Sequence, residues 1–262
     1  MLLLFRSTNH KVYVPNLFMI KGKDMSIIYV LDIDVFSSKD IFTNIQHVSK
    51  KRRQQVYNCR RNEDAYRLLV GDLLVRYILC TNLQCYNHQL RFQYNKYGKP
   101  YLATHSNCFF NLSHSESYVT CIVDEMECGI DIERMSAISE EYIDIAKLYF
   151  SNEEFSTISK MTSDEDKRAY FYILWTMKEA YLKALGVGLE KDLSSVQINL
   201  ESYGNISIYD VETKDDRNLL YRSYQIHDYQ LSLVAYSEPE FIYLTDIELL
   251  KSISKSTMFK VE

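Results

Sequence analysis

The sequence predicts an α+β protein built from two similar lobes. Each half of the chain sets a long amphipathic helix before a series of short strands, over about 62–80 and then 108–123, and again over about 164–185 and then 195–236. The 262 residues are 47% hydrophobic, enough for one large domain or two small ones, each with a core. No low-complexity linker interrupts them, and only 3 prolines and 7 glycines occur. The lobes are expected to join near 124–130, giving residues 25–128 as the first lobe and 129–262 as the second, with 1–24 as an N-terminal extension.

Residues 26–33 alternate and are β-branched, which reads as a strand. Residues 37–48 and 50–58 read as helices, the second entered at Ser49 as a cap. The first long helix follows, with Leu68, Leu69, Leu73, Val75, Tyr77 and Ile78 on its buried side. Arg91–Tyr94 reads as a strand and 95–100 as a turn. Strands are expected at 108–112 and 117–123 around a Ser113-His114-Ser115 turn, and Gly129 opens a further short strand. In the second half, 139–149 reads as a helix, Ser151 with Glu154 forms a capping-box pattern, and the long helix stops at Gly186. Strands are expected at 195–200, 205–211, 220–227 and 229–236, and Pro239 precedes a last strand or short helical tail.

The net charge of −5 argues against a general nucleic-acid binder, although Lys50, Lys51, Arg52, Arg53, Arg60 and Arg61 form a local basic cluster. Met1-Leu-Leu-Leu-Phe-Arg6 is too short to cross a membrane or to form a signal core, so no membrane association is expected. The six cysteines are scattered without any Cys-x-x-Cys, which fits a reducing, cytoplasmic setting rather than a disulfide framework or a zinc site.

Chemistry concentrates in two stretches. Gly-Ile-Asp-Ile-Glu at 129–133 places Asp131 and Glu133 on one face of a strand, where adjacent carboxylates repel and prefer a cation between them. Trp-Thr-Met-Lys-Glu-Ala-Tyr-Leu-Lys-Ala at 175–184 places Glu179 and Lys183 one helical turn apart. Each piece has an ordinary explanation: a solvated sheet face, or a surface pair worth roughly 0.3–0.5 kcal/mol. Taken together, oxygen ligands with room for water and phosphate suit Mg²⁺ and a phosphate ester. The Gly186-Val-Gly-Leu189 segment is not a phosphate loop, because no Gly-Lys-Ser/Thr follows it.

These two stretches, with Tyr97-Gly-Lys-Pro-Tyr-Leu102, Phe110-Asn-Leu-Ser-His-Ser115, Phe150-Ser-Asn-Glu-Glu154 and the helix from Glu63 to Arg76, resemble in order and spacing the surfactin-synthetase-activating (Sfp-type) 4′-phosphopantetheinyl transferases. The resemblance runs from about Met25 to the C-terminal end. The first 24 residues do not match, which leaves a natural extension or an upstream start.

The resemblance implies a pseudo-two-fold pair of lobes and an enzyme that moves the phosphopantetheine arm of coenzyme A to a serine of an apo carrier protein, releasing 3′,5′-ADP. It implies Asp131, Glu133 and Glu179 as Mg²⁺ ligands. Glu179 is the leading base for the carrier serine, with Glu154 or a metal-bound water as alternatives. Lys183 is expected to neutralise the diphosphate, and Ser113 and His114 to contact coenzyme A phosphate. Lys99 and Pro100 are expected along the adenine, Arg52 on the 3′-phosphate, and Arg67 as a further phosphate contact. The chain departs from the family at Gln55, where a second lysine is usual, and Lys51, Arg53 or Arg60 would have to compensate. Trp175 and Tyr181 are expected to pack.

The carrier, whether peptidyl, polyketide or fatty-acid, is expected to dock near the lobe junction, with Arg134, Met135 and Lys147 as candidate contacts. A two-lobed chain of this length builds its site internally, so a monomer is expected, unlike the half-length holo-acyl-carrier-protein synthases. The length also leans towards nonribosomal peptide and antibiotic pathways. Two other classes compete: a metal-dependent phosphohydrolase, which usually needs more histidine, and a non-catalytic carrier-binding module, which would not need the complete acid set.

Overall fold

Both halves of the chain lay down the same series of elements in the computed structural model, whose described residues are 25–33, 38–201, 205–210, 212 and 219–260. The 1–24 extension lies outside them. The first half runs from strand β1 (Ile27–Asp32) through a 3-10 helix (Ser38–His47) and helix α1 (Lys50–Tyr57) to helix α2 (Asn62–Leu83). A small hairpin, β2 (Phe92–Tyr94) with β3 (Pro100–Leu102), precedes a larger one, β4 (Phe109–Ser115) with β5 (Tyr118–Asp124). The second half runs from β6 (Gly129–Arg134) through α3 (Glu140–Tyr149) and α4 (Asn152–Lys160) to α5 (Asp164–Leu185). A small hairpin, β7 (Val196–Leu200) with β8 (Ile206–Asp210), again precedes a larger one, β9 (Leu220–Ile226) with β10 (Tyr229–Ala235).

The pairing repeats as well. The strand orders β1-β5-β4 and β6-β10-β9 both set the opening strand antiparallel to the last strand of the larger hairpin. Both hairpins turn through two residues, between the pairs Ser115–Tyr118 and Ile226–Tyr229. The first loop residue has positive φ in each, 44° at Glu116 and 54° at His227, the sense of backbone twist that tight antiparallel hairpins require.

Local signals set the helix ends. The Ser49 hydroxyl accepts from the Arg52 amide at 3.1 Å, and Ser151 with Glu154 completes a reciprocal capping box. Helix α5 stops at Gly186, whose φ of 68° ends the helical run. Gly129 is needed for a different reason. A Cβ there would lie 2.0 Å from the Ala180 carbonyl oxygen, so only glycine lets β6 begin against α5.

Two expectations are corrected. Ser113, His114 and Ser115 form the end of β4, and the turn falls on Glu116 and Ser117. The serines continue the strand because their side chains join it to β6, as described below. The tail after Pro239 forms both β11 (Glu240–Thr245) and α6 (Asp246–Lys255), and these return to the first lobe. Strand β11 runs parallel to β1, and α6 packs on α2. Residues 240–259 therefore complete the first lobe rather than extend the second. Without β11, strand β1 would leave a row of unpaired backbone groups at a sheet edge.

Three apolar cores result among the described residues. One lies beneath α2 and includes Ile242, Leu244 and Leu249 from the returning segment. A second joins α5 to α3, α4 and β7 through Ala146, Ile158, Phe171 and Val196. The third lies between the two sheets, where Ile28, Val30 and Ile122 of the first lobe meet Ile130, Ile132 and Leu231 of the second.

Candidate active site

The sheets meet edge to edge at β4 and β6, and side chains rather than a backbone ladder close the seam. Asn111, Ser113 and Ser115 project from one face of β4. Their oxygens accept the amides of Ile130 at 2.9 Å, Ile132 at 3.4 Å and Arg134 at 3.0 Å. The two serines also donate across the seam, Ser113 to Asp131 at 2.8 Å and Ser115 to Glu133 at 2.9 Å. This Asn-x-Ser-x-Ser alternation is readable in the sequence, and the roles of Asn111 and Ser115 follow only once β6 lies beside β4. The seam holds the two carboxylates at fixed positions on the lobe boundary.

Helix α5 supplies the rest. The Lys183 ammonium donates to Asp131 Oδ1 at 2.6 Å and to Ser113 Oγ at 3.0 Å. Its other carboxyl oxygen, Oδ2, is buried and has no hydrogen-bond partner, which is costly for a carboxylate. Burial, then Asp131 and more weakly Glu179, push the Glu133 carboxyl up to about 7, although Ser115 and Lys183 oppose the shift. Burial and Asp131 likewise raise Glu179, against Lys183. One lysine therefore faces three carboxylates, and the site carries excess negative charge.

Among the described residues no three His, Cys, Asp or Glu side chains converge closely enough to hold a metal unaided. The orphaned Asp131 oxygen and the raised glutamates do fit a hard cation that takes few protein ligands and completes its shell with water and phosphate.

These groups line one end of a cleft of about 1180 Å³. His114 is on its wall, where withdrawal from bulk water, then Lys183 and Arg67, hold the imidazole below its ordinary value. It is thereby kept neutral near pH 7, able to donate from one ring nitrogen. Pro100 and Ser113 also line the cleft, as does Trp175, which stacks on Phe171 with ring centroids 6.2 Å apart. The other end is basic, with Lys51, Arg52, Arg76, Arg91 and Lys260 around Asp72, its one carboxylate among the described residues. Arg52 donates to Asp72 at 2.7 Å, and Arg76 binds the same carboxylate.

Other candidates are placed differently. The Lys99 ammonium donates to the carbonyls of Ala184 at 3.1 Å and Cys128 at 3.4 Å, so it stabilises the C-terminal end of α5 rather than lining the cleft. Arg67 lies behind the wall, 3.6 Å from Asp64. Glu154 is 2.9 Å from the buried Lys178, and it accepts the amides of Ser151 and Ile198, each at 2.7 Å. It is fully engaged inside the second lobe and cannot serve as a base at the cleft. Tyr181 packs in the second core and donates to Asp210 at 2.9 Å, as expected of a packing residue.

Sequence comparison identifies the family. Residues 37–126 match the family described as 4′-phosphopantetheinyl transferase, N-terminal, and residues 127–234 match the 4′-phosphopantetheinyl transferase superfamily. The chain is 35% identical over 196 residues to the 4′-phosphopantetheinyl transferase Sfp of Bacillus subtilis, covering 74% of this chain and 84% of that one. It is 28% identical over 215 residues to the human L-aminoadipate-semialdehyde dehydrogenase-phosphopantetheinyl transferase, covering 75% and 68%. A solved holo-(acyl-carrier-protein) synthase from Bacillus anthracis, 15% identical, superposes over 42% of this chain and 93% of its own with a TM-score of 0.37. The extent of the match to Sfp, with both halves of the chain falling within matched family segments, establishes that this chain belongs to the 4′-phosphopantetheinyl transferase superfamily.

Proposed function

We propose that this chain transfers the 4′-phosphopantetheine arm of coenzyme A to a serine hydroxyl of an apo carrier protein. The observation that carries the reading is the placement of Asp131, Glu133, Glu179 and Lys183 at one end of a cleft whose other end is basic. A dinucleotide-like substrate with a diphosphate and a remote phosphate suits that polarity.

In the reaction the serine oxygen bonds to the phosphorus that carries pantetheine. The bond from that phosphorus to the oxygen of the departing 3′,5′-ADP breaks. The serine proton goes to Glu179, directly or through one water. Lys183 neutralises charge on the diphosphate and the departing phosphate, and neutral His114 donates to a phosphate oxygen. Asp131, Glu133 and Glu179 would hold Mg²⁺, which when bound offsets the diphosphate charge.

The exposed side chains Leu148 and Tyr149 on α3, with Tyr149 5.9 Å from Trp175 and Lys147 beside them, offer apolar contacts for a carrier helix. Met135 is 9% exposed and part of the second core, and Arg134 pairs with Asp228 at 2.9 Å. Of the three residues expected in the sequence, Lys147 on α3 therefore remains the better-placed contact. All the proposed reacting groups come from one chain, which supports a monomer. The two-lobed length favours peptidyl and related carriers of secondary metabolism, and the scattered cysteines favour a cytoplasmic setting. No helix among the described residues is long and apolar enough to cross a membrane.

Intact mass of purified apo peptidyl and acyl carrier domains, after incubation with the protein, coenzyme A and Mg²⁺, tests the reading. A gain of one phosphopantetheine that Glu179→Gln and a chelator both abolish is the expected result. A wild-type protein that binds no coenzyme A would overturn it.

A further inference from the structure

The basic end of the cleft is completed by residues outside both matched family segments, which together end at residue 234. After α6 the chain forms a 3-10 turn at Thr257–Phe259, and Met258, Phe259 and Lys260 wall the cleft beside Lys51, Arg52 and Arg91. Phe259 fixes this tail. It is 4% exposed, sits edge-on to the His47 ring at 5.4 Å and lies 6.4 Å from the Tyr77 ring. The turn also packs on the Asn87–Gln89 segment, where Asn87 donates to the His47 carbonyl at 2.7 Å and accepts from Arg76 at 3.0 Å. The tail is therefore anchored to the same scaffold that positions the arginines.

The lysine beyond that anchor differs from its neighbours. Arg52 and Arg76 share Asp72. Lys51 lies over the Tyr94 ring at 4.2 Å, and Arg91 donates to the His88 carbonyl. Lys260 is exposed on the cleft wall, and among the described residues no carboxylate pairs with it. Among the described residues this end holds more cations than its one carboxylate can balance, and Gln55 supplies no charge.

We propose that Lys260, carried to the cleft by the anchored C-terminal tail, is a specificity-determining residue that binds the 3′-phosphate of coenzyme A. A phosphate monoester offers several oxygens to separate donors, and a lysine ammonium binds it as a point charge. The tail thus supplies from the far end of the chain a positive charge that the α1 helix lacks at Gln55. This assignment rests on the transferase reading.

Calorimetric titration of coenzyme A and 3′-dephospho-coenzyme A into wild type, Lys260→Ala and Lys260→Arg tests it. In Lys260→Ala the affinity for coenzyme A falls by about tenfold, the scale of one charge-assisted contact. Binding of the dephospho compound stays as in wild type, and Lys260→Arg recovers most of the loss. Equal weakening of both ligands, or no change in either, overturns the role of Lys260 while leaving the transferase reading intact. A wild type that binds neither ligand overturns that reading, and this one with it. The thermal midpoint of each variant separates lost contact from lost fold.

Discussion

The two lobes share a topology and use it differently. Counted from the hairpin turns, Tyr29 on β1 and Asp131 on β6 occupy the same place: each pairs with the residue three positions after the tyrosine that starts the last strand. Leu31 corresponds to Glu133 in the same way. In the first lobe this face packs on α2, and Tyr29 and Leu31 are buried in its core. In the second lobe the same face carries two acids, met by Lys183 of α5. The helices are displaced correspondingly. Helix α2 lies over β4 and β5, whereas α5 lies over β6 and β10, drawn onto β6 by the missing side chain of Gly129. One position in a repeated fold can therefore serve stability in one lobe and carry charged groups in the other.

The sharpest way to break this comparison is to perturb the matched face once in each lobe. Asp131→Asn keeps the shape but removes the charge, and kcat/KM is expected to fall on the order of a thousandfold with the fold retained. Leu31→Ala is expected to cost about 2–5 kcal/mol of stability with kcat per folded molecule unchanged. Steady-state kinetics and denaturant titration of both variants check this, and similar profiles for the two would refute the division of labour.

Glu154→Ala comes next. It strands the Lys178 ammonium, whose own side chain is 0% exposed, at a cost of about 3–5 kcal/mol. Urea unfolding should show the loss, while the residual folded protein retains its affinity for coenzyme A.

A third effect appears in pH. The folded pKa of Glu133, about 7, exceeds the ordinary 4.5. Between those values the folded protein holds more protons than the unfolded chain, so this group's contribution to stability falls as pH rises and levels off above 7. The thermal midpoint without metal should therefore drop from pH 5 to pH 8 by a few degrees more than in Glu133→Gln. Mg²⁺ should recover the difference at pH 8 and have little effect at pH 5. A wild type and variant with parallel profiles would count against the excess charge inferred at the seam.

The smallest expected effect is at the seam's end. Ser115→Ala loses the bonds to Glu133 and to the Arg134 amide, about 1 kcal/mol, with no counterpart in the backbone-paired first lobe. Hydrogen exchange at the Arg134 amide would report it.

Much of this was legible in the sequence because its causes are local. Ser49, Ser151 and Gly186 mark helix ends through contacts within a few residues. Asp131 with Glu133, and Glu179 with Lys183, share a face by strand and helix periodicity alone. What escaped depends on distant partners. His114 reads as part of a polar turn until β6 takes up the serines on either side of it. Lys99 reads as a cleft residue until α5 ends beside it, 85 positions along the chain. Arg52 finds Asp72 20 residues along the chain, in another helix. The pairing of β11 with β1 spans most of the sequence and leaves no local mark.

That last pairing ties the order of synthesis to the order of folding. The first lobe emerges early from a ribosome, yet its sheet lacks an edge strand and its core lacks Ile242, Leu244 and Leu249 until the segment after residue 240 follows. The nascent first lobe must wait, partly open, while the whole second lobe is made. A ribosome stalled before residue 240 would hold a chain in which β6 and α5 are complete but the basic end of the cleft lacks Met258, Phe259 and Lys260.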